Sequence, residues 1–166
     1  MSTLQRSLSY LDAHAIRYAH TMHSPAYTAE EVAAAEHMPP NRMAKTVICR
    51  DESGYLMVVV PADLYVDLEQ LRTAIGAPSL HLAEESELQL LFTGCEIGAM
   101  PPLGGLFGLR VYLDRELAGQ EFIAFNAGTH RDVIHMRTAD FKSLVEPVIG
   151  EFGQMKYGPR ASFSHA

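Results

Sequence analysis

Fourteen residues in the second half of the chain, Phe92 to Gly105 (FTGCEIGAMPPLGG), can form neither a stable helix nor a central strand. Four glycines raise the entropy lost on ordering, and the adjacent Pro101 and Pro102 fix φ and remove backbone donors. Met100, placed before Pro101, is pushed towards extended geometry. A segment of this kind either connects regular elements or shapes main chain to meet a ligand, because glycine allows close approach without a Cβ.

Regular elements are legible on both sides of it. Leu4, Leu8, Leu11 and Ala15 recur at helical spacing, and Ile16 to Met22 reads as a short strand before the Ser24-Pro25 turn. Thr28-Ala-Glu-Glu31 has the form of a capping box for a helix that runs to Glu36, before Pro39-Pro40 forbids its continuation. Ala44 to Arg50 and Tyr55 to Val60 read as strands joined by the hairpin connector Asp51 to Gly54. Asp67 with Gln70 opens a helix carrying Leu68, Leu71 and Ile75 on one face, and Gly76 closes it. Leu80 to Leu82 is a brief strand, and Glu84 to Phe92 a short helix with acidic residues in its first turn. Beyond the loop, Leu109 to Leu113 and Glu121 to Phe125 are strands flanking a turn at Asp114 to Gly119, and Val133 to Met136 is another strand. Thr138 is expected to cap a last helix with Phe141, Leu144, Val145 and Val148 on one stripe, kinked or ended by Pro147.

Hairpins thus coexist with crossovers. The expected class is α/β in the mixed α+β sense: a central mixed sheet surrounded by helices, not a regular parallel βαβ array. Residues 1–152 are expected to form one domain, and the polar, glycine-containing stretch 153–166 a mobile tail.

Composition narrows the function classes. At 166 residues the chain can bury a real core, and 48% apolar with 20% charged residues is globular. The longest strongly apolar run, Tyr55 to Pro61, is far too short to span a bilayer, and the N-terminus lacks the apolar core of a secretory signal. A cytoplasmic location follows as the expectation, with Cys49 and Cys95 as reduced thiols. A net charge of −7 argues against broad nucleic-acid backbone binding, and no DNA partner is expected; any nucleic-acid partner must be gripped at a small feature.

Metal and cofactor signals are weak. His20-x2-His23 and His130-x4-His135 have odd spacings that place strand side chains on opposite faces, and neither joins a CxxC or HExxH pattern. No metal and no cofactor is expected, and neither GxGxxG nor GxxxxGK[ST] is present. Cys95 has no local signature of an activated nucleophile. Lys45 is more informative. It opens the apolar strand Met43-Ala-Lys-Thr-Val-Ile-Cys49 and shares a face with Val47 and Cys49, so it must snorkel, find an anion or point into a polar cleft. The turn Asn126-Ala-Gly-Thr-His130 offers either a plain polar hairpin or a histidine over a cleft.

Taken in order, these pieces form a specific combination. Ala44-Lys45-Thr46 enters a strand and is followed by Tyr55-Leu-Met-Val-Val-Val-Pro61 and Asp67-Leu68. The loop Thr93-Gly94-Cys-Glu-Ile-Gly98-Ala-Met-Pro101-Pro102, the strand Val111-Tyr-Leu-Asp114 and Asn126-Ala-Gly128-Thr-His130 complete it. From about Tyr27 to Phe141 this succession resembles the YbaK/prolyl-tRNA synthetase-associated domain family. The resemblance implies a partly barrel-like mixed sheet surrounded by helices and a free-standing deacylase. Such a protein hydrolyses the ester of a mischarged aminoacyl-tRNA carrying a small amino acid such as Ala, Cys, Ser or Thr, with tRNA-Pro one candidate carrier.

The resemblance also implies a site. Lys45 would bind the 3′-terminal phosphate or the reacting carbonyl region. Gly98 and the run through Ala99, Met100, Pro101 and Pro102 would supply backbone contacts at the ester. His130 would shape the amino-acid pocket or orient water. Thr93, Gly94, Gly128 and Thr129 would complete the substrate site, and strand placement, not the resemblance, adds Met22, Cys49 and Val60 as lining candidates. Arg42 and Arg131 would join Lys45 in a local cationic patch for the tRNA acceptor end, and an aminoacyl-tRNA synthetase is a further candidate partner. Two other uses of the fold stay open: a non-catalytic aminoacyl-ligand or partner-binding module, and hydrolysis of another small ester or amide.

Overall fold

The computed structural model describes residues 1–156. Helix α1 (Thr3–Ala13) leads into strand β1 (Tyr18–Met22), helix α2 (Ala29–Ala35) and the hairpin of β2 (Met43–Asp51) and β3 (Gly54–Pro61). Strand β4 (Leu64–Val66), helix α3 (Leu68–Ile75), strand β5 (His81–Leu82) and helix α4 (Glu85–Leu91) follow. After the glycine-rich loop come β6 (Arg110–Asp114), α5 (Arg115–Ala118), β7 (Phe122–Asn126) and β8 (Asp132–Arg137). The described chain finishes with α6 (Thr138–Val145), β9 (Val148–Gly150) and β10 (Gly153–Met155).

Seven strands form one path, β1-β8-β7-β2-β3-β6-β9, with β5 laid against β2 and a separate pair of β10 and β4. The pairs β7/β2, β3/β6 and β6/β9 are parallel and the others antiparallel, so the sheet is mixed as expected. Among the described residues the path runs open from β1 to β9 and does not close into a barrel.

Side-chain alternation divides the core between two faces. On one face Ala44 and Ile48 of β2 join Met57, Val59, Val111, Leu113, Ile123 and Phe125, covered by Leu11 of α1, Leu117 of α5 and Phe141 of α6. On the other, Cys49, Leu56, Val58 and Val60 pack against Leu71 of α3, while Met43, Ala124 and Val133 meet Val32 and Ala33 of α2.

Local chemistry sets most boundaries. Thr28 and Glu31 complete the capping box of α2. The Asp67 carboxylate accepts the Gln70 N–H at 3.0 Å, and Gly76 closes α3 at φ 66°, a left-handed conformation natural to glycine. Several expectations need correction. Arg137, not Thr138, occupies the N-cap of α6, and the buried Thr138 hydroxyl has no partner among the described residues. Glu146 turns left-handed at φ 52° and Pro147 cannot continue the helix, so Val148 belongs to edge strand β9 and not to the helical stripe. The turn at Asp114 to Gly119 contains the short helix α5, capped by the Asp114 side chain. The expected tail begins with strand β10, whose Gly153 to Met155 pair with Val66 to Leu64; residues 157–166 of that tail lie outside the described residues.

The glycine-rich loop is not a surface connector along its whole length. Phe92 and residues Ala99 to Gly104 are buried, with Met100 and Leu103 in the core. At Gly104 a Cβ would run into the Leu109 carbonyl, which explains one of its glycines by packing alone. No helix among the described residues is long and apolar enough to cross a membrane.

Candidate active site

The site follows from a gap in the sheet. Strands β2 and β7 pair only at Met43 with Ala124 and Ala44 with Phe125, and then part. Strand β5 meets the same side of β2 at Cys49 and Arg50. Lys45 to Ile48 therefore have no neighbouring strand on that side among the described residues. The Met43 carbonyl accepts from Ala62 N at 2.9 Å, so odd-numbered residues of β2 turn their peptide groups towards β3. Even-numbered ones turn the other way, as the Ile48 carbonyl does in accepting from Ala83 N at 3.0 Å. The peptide groups of Thr46 accordingly face the gap.

A cavity of about 530 Å³ fills this fork. Its walls include Ala44 to Ile48 of β2, Asn126 at the end of β7, and Ile97, Gly98 and Met100 of the glycine-rich loop. Tyr27, Glu30, Tyr65 and Lys156 also line it. Lys45 is half-buried and lies on the face of Val47, as two-residue periodicity predicts. Its Nζ donates to the Leu64 carbonyl at 2.5 Å and stands 5.4 Å from the Tyr65 ring centroid. The small β4/β10 sheet thereby positions the lysine. Lys156, paired with Glu30, lies 4.9 Å from the same ring. Burial lowers the Lys45 pKa from its ordinary value; nearby Lys156 lowers it further, and Glu30 and Asp63 oppose the shift.

The loop and the Gly128-Thr-His130 turn are stitched together. Glu96 N donates to the Gly128 carbonyl and Gly128 N to the Ala99 carbonyl, both at 2.8 Å. The Glu96 carboxylate accepts His130 N at 3.0 Å, and His130 Nε2 lies 2.9 Å from the Ile97 carbonyl. A carbonyl can only accept, so Nε2 carries the proton, and the buried Nδ1 has no partner among the described residues. Gly98 sits inside this frame at φ 87°, where an L side chain is strained. A Cβ there would lie 3.6 Å from His130 Cε1. The Gly98 N–H makes no hydrogen bond among the described residues.

Of the residues singled out from sequence, Lys45, Gly98 and Met100 line the cavity together. His130 stands behind Gly98, its ring 5.1 Å from that of Tyr27 and tilted by 54° to it, and does not form the wall. Ala99, Gly128 and Thr129 hold the frame: the first two through the bond just described, Thr129 by donating from Oγ1 to Asp132 at 2.6 Å. Pro101 and Pro102 are buried behind the loop. Thr93 and Gly94 lie away from the cavity, the Gly94 carbonyl accepting Thr3 N at 3.1 Å at the start of α1. Arg42 borders a different, smaller cavity with His135 and Phe122, and Arg131 is exposed outside the walls. The three further lining candidates are corrected: Cys49 and Val60 lie on the face of Lys45 but are fully buried against α3, and Met22 is exposed on β1.

Sequence reasoning missed Thr46, Asn126, Tyr65 and Lys156. Thr46 and Asn126 stood inside quoted motifs, but only the end of the β2/β7 pairing reveals what they face. Neither thiol is an activated nucleophile. Burial pushes the pKa of Cys49 up to about 12 and of Cys95 up to about 11. Among the described residues no group of three or more His, Cys, Asp or Glu is placed to hold a metal.

A lysine and a glycine-shaped backbone thus meet at one open cavity on this mixed sheet. The model of the aminoacyl-tRNA editing domain matches residues 23–144, and the chain belongs to that family. Among individual relatives, it is 28% identical to the multifunctional Ser/Thr-tRNA deacylase ProXp-y of Escherichia coli K12, over 90% of this chain and 92% of that protein. It is 26% identical to the proline--tRNA ligase of Leuconostoc citreum over 83% of this chain, spanning only 24% of that enzyme. A solved structure proposed to be a trans-editing enzyme for prolyl tRNA synthetase shares the fold at TM-score 0.79 and 24% identity, covering 93% of this chain and 98% of that one. A hypothetical protein of known structure does so at TM-score 0.81 and 21% identity, covering 90% and 99%.

Proposed function

We propose that this protein is a trans-editing deacylase that hydrolyses the ester between a small amino acid and the 3′-terminal ribose of a mischarged tRNA. The observation that carries the reading is the convergence of Lys45 and Gly98 on one cavity. Family membership and the ProXp-y relative support it.

In the reaction, water attacks the ester carbonyl carbon and the acyl C–O bond breaks. The ribose oxygen takes up a proton and the amino acid leaves as a carboxylate. The carbonyl oxygen gains negative charge on the way, so fixed donors and cations near it lower the barrier. Gly98 offers an N–H without a hydrogen-bond partner among the described residues, held in place by the bonds between the loop and the Gly128 turn. Lys45 offers a cation whose direction is set by Leu64 and Tyr65. His130 acts as a positioning residue, fixing the Ile97-Gly98 backbone from behind. A free ribose hydroxyl on the substrate completes the set of groups able to assist the water.

With a net charge of −7, contact is confined to the aminoacylated acceptor end, where Lys45 and Lys156 supply a local cationic mouth. A synthetase partner would deliver such a substrate. The test is deacylation of a panel of mischarged tRNAs by native protein and Lys45→Ala. Native turnover with a loss of roughly a hundred-fold or more in the variant is expected. Binding of aminoacyl analogues without any ester loss would instead identify a non-catalytic module, and full activity of Lys45→Ala would remove the assigned site.

A further inference from the structure

We infer that Asp132 and His20 are positioning residues for the reaction: their pair holds the Gly128-Thr-His130 turn, which in turn aims the Gly98 N–H. The inference rests on the deacylase reading and adds two residues that lie outside the cavity wall.

Buried polar groups near the site fall into two kinds. Asn126 Oδ1 and Thr46 Oγ1, on the cavity wall, have no hydrogen-bond partner among the described residues. Asp132 is only 5% exposed, yet both of its carboxylate oxygens are engaged. His20 Nε2 of β1 lies 2.6 Å from Oδ1, and Thr129 Oγ1 donates to Oδ2 at 2.6 Å. A carboxylate oxygen accepts, so the His20 proton sits on Nε2. Short hydrogen bonds to a carboxylate are about twice as strong as those between neutral groups.

The Thr129 hydroxyl is thereby fully committed. While it gives its proton to Asp132, it accepts from Arg131 N at 3.1 Å and from Asp132 N at 3.0 Å. Its one donor and both lone pairs are used, and the turn is closed around it. The order of the groups excludes a nucleophilic triad, in which the imidazole and not the carboxylate meets the hydroxyl. This constellation orients backbone.

From the turn the hold passes to Gly98 through its neighbours on both sides. Glu96 N and the Ala99 carbonyl bond Gly128, the Glu96 carboxylate accepts from His130 N, and the Ile97 carbonyl accepts from His130 Nε2. The chain beyond β1 adds two backbone bonds, His23 N to the Arg131 carbonyl at 3.0 Å and Ala26 N to the His130 carbonyl at 3.2 Å. Those bonds grip residues 130 and 131, while the Asp132 pair grips Thr129. Without His20, Oδ1 would be a buried acceptor with no donor, and the carboxylate would turn away from Thr129 to find one. A displacement of about 1 Å at a reacting group can cost about a hundred-fold in rate.

The experiment measures kcat and KM on a mischarged tRNA for native protein, His20→Ala, His20→Gln, Thr129→Val and Thr129→Ser. His20 stands on edge strand β1 outside the buried core, so its variants leave the packing intact. Tyr18→Phe, which removes the bond from Tyr18 to Asp12 on the same strand, is the control. His20→Ala and Thr129→Val should lower kcat about ten-fold or more while KM changes by less than about two-fold. His20→Gln and Thr129→Ser restore a donor and a hydroxyl and should recover most of the loss. Tyr18→Phe should match native protein. In substrate-free protein the Gly98 amide NMR resonance should move in His20→Ala and stay in place in Tyr18→Phe, which reads the link apart from turnover. An unmoved resonance, an unchanged kcat in His20→Ala, or an equal loss in Tyr18→Phe would overturn the positioning role and leave the deacylase reading intact. Absence of turnover by native protein on every mischarged tRNA would remove both.

Discussion

Asp114 and Asn126 occupy equivalent places and do opposite things. Each is the last residue of a strand with a parallel neighbour, β6 and β7 respectively, and each is buried. The Asp114 carboxylate is answered from three sides: Glu116 N reaches Oδ1 at 3.0 Å, and Phe152 N and Gly153 N reach Oδ2 at 2.9 Å. It fastens α5 and the start of β10 to the sheet. Asn126 has no such answer for its Oδ1 among the described residues, because β2 and β7 diverge there and a cavity opens. A buried polar group that the fold satisfies stabilises the fold; one that the fold leaves open is free to serve a ligand.

That contrast can be broken by measurement. The largest expected effect on stability belongs to Asp114→Ala, which strands three backbone donors and should cost about 3–5 kcal/mol in denaturant unfolding. A loss below about 1 kcal/mol would mean that the carboxylate is not the fastener its bonds imply. Next comes the pH dependence of turnover. In the proposed reaction the Lys45 ammonium is the acting form, and burial lowers its pKa from the ordinary 10.5, so raising the pH would remove the active species. After subtraction of uncatalysed ester hydrolysis, activity should decline on the alkaline side before pH 10.5, and Lys45→Arg, which stays charged, should lack that decline. A flat profile for native protein would exclude the ammonium from the rate. The smallest effect belongs to Thr46→Val. Removing an unmatched buried hydroxyl should leave stability unchanged or raise it by up to about 1 kcal/mol, read as a thermal shift. A marked destabilisation would show that Thr46 serves the fold in the way Asp114 does.

Legibility in the sequence tracked the range of the interactions. The capping box of Thr28 and Glu31 and the Asp67 cap are three-residue bonds, and both stand where their motifs place them. Thr138 was misplaced as a cap because a hydroxyl one residue inside the helix looks the same in sequence as one at its boundary. The strands β4, β9 and β10 escaped notice because three residues carry no periodicity, and their partners lie far along the chain. Within the site, Lys45 and Gly98 stood out as a cation on an apolar strand and a glycine in a proline-stiffened loop. Cys49 and Val60 were proposed as lining because alternation puts them on the face of Lys45, but the packing of α3 buries them there, which no local pattern reveals.

The sequence by itself determined the local elements, the two faces of the central strands and the motifs that mark an aminoacyl-tRNA editing domain, since these depend on residue type and short spacing. Tertiary structure alone decided where β2 and β7 part, and so which residues are left facing a void. Pairing between strands some eighty positions apart depends on the packing of every layer around them, and no local pattern encodes where it stops. The glycines of the opening loop divide along the same line. Gly104 is explained by crowding against Leu109, while Gly98 acquires its meaning from the cavity that the fork creates.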